Sequence, residues 1–327
     1  GIHGGRQHYQ RAVHFLEVLG ETRCPGYDEY CWGYPFDWQT RAGVLKAGTP
    51  LITTLPYVYE AFSQIYAMDG DEQWLQVMRS IAEHAAKSYR DVMLAPDIAS
   101  CGYTPAEDDP GGVVNASAYR SFLLTKAGIE LSEPRYLELA RRNLNFVLAS
   151  QNENGSWYYS VDGERDFVDH FHTCFVLKAL AKIEQLTGCS QCRSTVERGI
   201  SYYLENLCDE HGLPVPFSKA PRLTVYRREL YDCAECVNLA DLLHGRFPQL
   251  DEVLSNVITE LMARWQKADG SFRARQLLAG WDNVPMHRWA QSQVFRSLCL
   301  FLSQNLTNSQ AGAACERLQA AESHSRS

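Results

Sequence analysis

The sequence predicts an all-α protein, an α/α toroid of helical hairpins with inner and outer helix rings and few short strands. Three observations lead there. Turn glycines recur at Gly102, Gly155, Gly212 and Gly270, which lie 53, 57 and 58 residues apart, so each unit has room for two helices and their turns. The helices between them alternate in character. Some are amphipathic, as in LELARRNLNFVLA, where Leu137, Ala140, Leu144, Val147 and Leu148 follow the helical period. Others are apolar on nearly every side, as in FVDHFHTCFVLKALAKI and TPLITTLPYVYEAFSQIYA, and such helices are buried. Finally, period-two alternation is scarce, which confines strands to short pieces near the turns.

Along the chain, outer helices are expected to begin near residues 6, 71, 133, 193 and 250, and inner helices near 49, 114, 168, 231 and 286. Thr49-Pro50 reads as an N-cap followed by proline in the first turn. A six-hairpin ring needs one hairpin more than these. Residues 1–304 are expected to form one toroid domain, the further hairpin being either absent or contributed irregularly, with 305–327 as a polar tail. A start at Gly1 without methionine reads as a processed or truncated terminus.

Composition narrows the function. The chain has 327 residues, a net charge of −8, 45% hydrophobic and 21% charged residues. No apolar run is long enough for a membrane span. No basic stretch interleaves with aromatics, which excludes nucleic acid as the expected partner. The 7 Trp, 17 Tyr and 13 Phe allow ring-lined sugar sites as well as core packing. Eleven scattered cysteines, an odd number, read as free thiols in a reducing, cytoplasmic compartment. Two Cys-x-x-Cys pairs, Cys189/Cys192 and Cys233/Cys236, invite a zinc reading. The second pair falls inside a helical pattern, so no zinc, no other metal and no cofactor is expected.

In a toroid the inner helices bring their N-termini to one mouth, where their dipoles favour anions. The candidates are ranked by that position. Asp169 opens one inner helix with His172 three residues on, either as an oriented acid/base pair or as a capping Asp beside a hydrogen-bonded His. His170 and His172 are two apart and point to different sides, against a shared metal. Asp232 and Glu235 share a helix face, so repulsion should raise one carboxyl, as glycoside hydrolysis requires, although a solvated surface pair does the same. Asp108 and Asp109 sit in a Pro/Gly-flanked turn. Asn115 can cap its helix or bind a sugar hydroxyl. The segment Cys31–Arg41 offers Trp32, Tyr34, Phe36 and Trp38 as stacking rings, with Asp37 and Gln39 for hydroxyls. Asp282, His287, Arg288, Trp289 and Gln291 surround the last inner start, where Arg288 can hold a carboxylate or pair with Asp282.

The phrases CWGYPFDWQTR, AGTPLITTLPYVYEAF, VVNASAYRSFLL, QNENGSWYYS, DFVDHFHTCFVLKAL and PMHRWAQSQVFRSL, in that order, resemble the VpsJ-like toroid proteins of bacterial polysaccharide-biosynthesis loci, within the six-hairpin glycosidase-like superfamily. The likeness runs from about Gly33 to Leu302 and implies the fold and a glycan context. Ala234 stands where that family often carries a histidine. QNENGSW also resembles the Gln-Trp repeats of terpenoid cyclases, although an Asn-Gly turn with a packed Trp serves structure in both groups. The expected function is a carbohydrate-active enzyme on an oligo- or polysaccharide, with carboxylate-driven glycosidic cleavage first. The alternatives are a uronate lyase or epimerase with a His or Tyr base (His172, Tyr34 or Tyr231), a terpenoid-cyclase-like enzyme, and a non-catalytic glycan-binding component of polysaccharide assembly. Convergence of Trp32, Tyr34, Asp37, Trp38, Asn115, Asp169, His172, Asp232 and Arg288 on one cavity is expected.

Overall fold

A computed structural model of the chain describes residues 5–40 and 43–304, except the side chains of residues 287 and 288. The expected tail at 305–327 and Arg41 lie outside the described residues. The chain divides into two compact units. The larger takes Gln10–Asp209 with Val215–Thr224, and the smaller takes Glu210–Pro214 and the chain from Val225 on, with the residues before Gln10.

The larger unit follows most of α1 (Arg6–Glu21) with the hairpin β1 (Trp38–Thr40) and β2 (Gly43–Leu45). Helices α2 (Leu55–Asp69) and α3 (Glu72–Lys87) form the next pair, then the antiparallel β3 (Asp91–Ala95) and β4 (Ile98–Cys101). Two further helix pairs follow, α4 (Val114–Glu130) with α5 (Pro134–Ala149), and α6 (His170–Thr187) with α7 (Ser190–Asn206). Strand β5 (Val168–Asp169) leads into α6 and pairs with β6 (Phe217–Lys219). The smaller unit holds β7 (Tyr226–Glu229), α8 (Leu230–Leu242), α9 (Pro248–Glu260) running into a π-helical turn, then β8 (Arg275–Leu277) and β9 (Trp281–Asp282). Strands β7, β8 and β9 form one small antiparallel sheet. A second π-helical turn, His287–Gln291, opens a helix over 292–304.

The two helix types are those the sequence predicts. Helix α4 is buried without a break from Val114 to Thr125, α6 from Thr173 to Ala181 and α8 from Asp232 to Asp241. Helices α3, α5, α7 and α9 bury one stripe each. Local chemistry sets their ends. Asp71 caps α3 by accepting from Gln73 N, while Gly70 and Gly188 end α2 and α6 in the left-handed conformation. Pro134 and Pro248 open α5 and α9 in the first turn, where no N–H is needed.

Two expectations need correction. The first inner helix starts at Leu55, not near 49, because Pro50 bridges to Gly33 and Leu51 N donates to Trp32 O, keeping that stretch extended. A side chain on Gly33 would strike Thr49 O at 1.9 Å, so glycine is what permits the bridge. The buried stripe of α5 is Tyr136, Ala140, Asn143, Phe146 and Val147, whereas Leu137 is 39% exposed. The polar Asn143 belongs to the core because its amide donates to Ala99 O and accepts from Arg120.

The glycine of the α5–α6 turn shows what the repeat requires. Gly155 has φ +91°, and a Cβ there would lie 2.4 Å from Arg198 O on α7. Both the conformation and the close approach exclude a side chain. Replacing Gly155 by Ala is expected to destabilise the protein by about 2–4 kcal/mol in urea unfolding, more than a surface substitution costs.

His170 supplies a pH test. It is fully buried, with Nε2 2.8 Å from Tyr203 Oη and Nδ1 3.8 Å from Cys174 Sγ, and burial pulls its pKa from 6.5 down to about 3. The folded protein holds it neutral, while the unfolded chain binds a proton below 6.5. Its contribution is therefore whole above pH 6.5 and is lost as the pH falls towards 3, by at most about 1.4 kcal/mol per pH unit. His170→Gln should make the fall of unfolding free energy between pH 6 and 4 shallower than in the parent chain.

Candidate active site

A cavity that joins an acid/base pair to aromatic rings lies in the larger unit, where α4 and α6 begin. The chain between α5 and α6 is laced to the start of α4. Val113 bridges to Ser160, Val114 N donates to Tyr159 O at 3.0 Å, and Val161 N donates to Gly112 O at 3.0 Å. Tyr159 N in turn donates to Phe167 O at 3.0 Å. This lacing brings Asn115, Trp157, Tyr159, Phe167, Asp169 and His172 to one cavity of about 10 Å³, the room of roughly one water. A larger ligand must therefore lie across its mouth.

Asp169 has two roles. As N-cap of α6 it accepts from His172 N through Oδ1 at 3.2 Å, and its Oδ2 lies 2.6 Å from His172 Nδ1. A carboxylate partner at Nδ1 places the ring proton there and leaves Nε2 as the basic nitrogen. Nε2 has no hydrogen-bond partner among the described residues, and the His172 side chain is 20% exposed. The ring is packed edge-on by Tyr159, with centroids 4.6 Å apart, and by Phe175 at 5.6 Å. Asp169 holds the imidazole by one edge and aromatic rings restrict its rotation. His170 faces the core and Tyr203, so the two histidines do point apart.

Two more groups face the cavity. Asn115 is 2% exposed and its Oδ1 has no partner among the described residues. Tyr159 has its phenol pKa pushed up, first by burial and then by the nearby Tyr103, against a lowering by Arg165. It stays protonated at neutral pH and can donate. Tyr159 is the residue that sequence reasoning misses. Its signal is its place two residues after the packed Trp157, in the chain leading to an inner-helix start. Trp157 itself is structural, 3% exposed with its indole N–H donated to Val147 O.

The other candidates lie elsewhere. Trp32 is a packing residue, 6% exposed, with Nε1 donating to Leu19 O at 2.9 Å and its ring against Phe62. Tyr34 stacks on Phe36 and meets Trp38 edge-on, each at 5.3 Å, in a half-buried cluster beside the β1–β2 hairpin. Asp37 binds Lys46 Nζ and Ala47 N, and Gln39 donates to Thr40 O, so both brace that hairpin. None of these residues lines the cavity. Asp109 ties its own turn, accepting from Tyr103 N, Thr104 N and Gly111 N.

In the smaller unit Asp232 and Glu235 lie on α8, 1% and 0% exposed, as a buried pair instead of a solvated one. Tyr231 and Trp289 are half-buried. The side chain of Arg288 lies outside the described residues. Gln291 clasps the backbone of Phe272 through both amide atoms. Among the described residues no group of three or more His, Cys, Asp or Glu side chains is placed to hold a metal ion, and no helix is long and apolar enough to cross a membrane.

An unpaired buried carboxamide costs about 1–3 kcal/mol. Asn115→Ala, which removes the unpaired amide and adds no volume, is expected to raise the melting temperature or leave it unchanged. A drop of many degrees would show the amide to be a structural partner.

No family model matches the chain, and neither does any curated protein sequence. Solved structures do. A cellobiose 2-epimerase from Bacillus thermoamylovorans superposes with a TM-score of 0.66 at 12% identity, covering 85% of this chain and 76% of the other. A GH76 α-mannanase from Bacteroides thetaiotaomicron gives 0.67 at 14% identity, covering 92% and 80%. A family 88 glycosyl hydrolase from Bacteroides vulgatus gives 0.64 at 11% identity, covering 94% and 87%. With its paired helices and short antiparallel strands, the chain thus has the all-α fold of the α/α toroid enzymes.

Proposed function

We propose that the protein is a carbohydrate-active enzyme whose reaction runs through proton transfer at His172, an epimerisation or elimination on an oligo- or polysaccharide. The observation that carries this reading is the 2.6 Å contact between Asp169 Oδ2 and His172 Nδ1, which turns an unpartnered Nε2 towards a cavity shared with Tyr159 and Asn115. Nε2 takes the proton from a sugar carbon made acidic by a neighbouring carbonyl or carboxylate. Asp169 stabilises the imidazolium that forms. In elimination the β C–O bond then breaks and the leaving oxygen takes the proton of the Tyr159 phenol, whereas in epimerisation that phenol returns a proton to the opposite face of the carbon, and Asn115 holds a hydroxyl. The N-termini of α4 and α6 add positive potential at the same place. The likeness to a cellobiose 2-epimerase supports this reading at the level of fold.

The VpsJ-like motifs support a role in polysaccharide biosynthesis, and the odd number of scattered cysteines supports a cytoplasmic setting. Glycosidic cleavage by Asp232 and Glu235 is the second reading, favoured by the burial of two carboxyls one turn apart on α8.

Incubation with an oligosaccharide panel in D2O separates the two. Epimerisation incorporates deuterium at a sugar carbon, elimination yields an unsaturated product, and hydrolysis releases reducing ends without either. His172→Gln should lower turnover by about 10²–10⁴-fold while the melting temperature stays within a few degrees. Reducing-end release that survives His172→Gln and disappears in Glu235→Gln would overturn the proposal.

A further inference from the structure

The Cys189-x-x-Cys192 pair lies apart from the cavity, at the turn from α6 into α7, and its two thiols are not equivalent. Cys189 is the N-cap of α7, and its Sγ accepts from Cys192 N at 3.4 Å. It is half-exposed and followed by the exposed Ser190 and Gln191, so small molecules can reach it. Cys192, one turn on, is fully buried, and its backbone N–H is the group that meets the Cys189 sulfur. Burial is also the main cause that pushes the Cys192 thiol up from its ordinary range, with the Cys189 contact next. One sulfur is thus open to attack a small disulfide, and it already accepts a helix N–H. The other lies buried one turn behind it. N-cap and N3 are one helical turn apart, a separation a disulfide spans.

We infer that Cys189 and Cys192 form a redox-active dithiol that exchanges with small disulfides of the glutathione class and closes to an intramolecular disulfide. The Cys189 thiolate attacks one sulfur of the small disulfide, breaking its S–S bond and releasing one small thiolate, which is protonated. Cys192 then loses its proton to solvent and attacks Cys189 Sγ, expelling the second small thiolate, which takes up a proton. The protein dithiol is oxidised by two electrons and the small disulfide is reduced to two thiols. This chemistry is independent of the reaction proposed at His172. The turn it would staple joins the C-terminus of α6, whose N-terminus carries Asp169 and His172, to α7.

The test treats the folded full chain with oxidised glutathione, traps free thiols by alkylation, and maps the peptides. The expected result is a Cys189–Cys192 disulfide with two glutathione thiols released per chain. Cys192→Ser should stop at the mixed disulfide, with one glutathione retained on Cys189, and Cys189→Ser should form neither. Because Cys192 is buried and its variant can lose stability, an independent readout uses the parent chain alone. Iodoacetamide should modify Cys189 about tenfold faster than Cys208, which is also half-exposed but caps no helix. Persistence of both thiols under glutathione, a cross-link that maps to the mutually contacting Cys24 and Cys31 instead, or equal alkylation rates at Cys189 and Cys208 would overturn the inference.

Discussion

The larger unit depends on one buried guanidinium. Arg120 lies in the middle of α4, 1% exposed, and all three of its guanidinium nitrogens donate. It donates to Ala85 O at 2.8 Å and Ala86 O at 3.0 Å, carbonyls of the last turn of α3 that the helix itself leaves unpaired. It pairs with Asp91 on β3 and donates to Asn143 on α5 at 3.1 Å. A charge at this depth costs several kcal/mol unless its partners are complete. The four elements must therefore meet in one arrangement for the arginine to be tolerated at all. That requirement fixes where α4 stands, and Asn115, five residues nearer its start, is carried to the cavity with it.

The candidate site shows the opposite economy. Asp169 is fully employed, capping α6 and holding His172, so the same carboxylate that starts the helix also orients the base. Folding of α6 and placement of the imidazole are one event. Asn115 and His172 Nε2 are left without protein partners among the described residues, in surroundings where Ser117, Ser121 and Asn143 have theirs. Two unpartnered polar groups that meet at one cavity are what a bound ligand would satisfy. Hydrolysis by paired carboxylates, the leading expectation from the sequence, rests on charge repulsion along one helix face. The structure draws attention instead to a histidine whose partner is three residues away and whose Nε2 has no partner among the described residues.

Features written into short stretches of chain are legible in the sequence. The alternation of buried and half-buried helices follows from apolar residues at helical spacing. The starts of α4, α6 and α8 match expectation within a residue or two, because Asp169 and the apolar runs signal them locally. The opposition of His170 and His172 is helix geometry alone. Sequence and structure part where a distant segment decides. The Thr49-Pro50 pair looks like a helix start, and only the bridge from Gly33 to Pro50 keeps it extended. Leu137 fits the period of α5 better than Asn143 does, and only Arg120 and Ala99, from other elements, draw the asparagine inward.

The sequence by itself therefore determined the fold class, the order of the helices and the standing of Asp169 with His172, since each depends on neighbours within a turn or two. Tertiary structure alone decided that Trp32 packs against Phe62 instead of facing a sugar, that Tyr159 joins the cavity through its bond to Val114, and that Asn115 is left unpaired. These depend on contacts between residues tens of positions apart. Side chains of the same type are pulled into the core or left at a mouth according to which distant backbone groups reach them, and no local pattern records that reach.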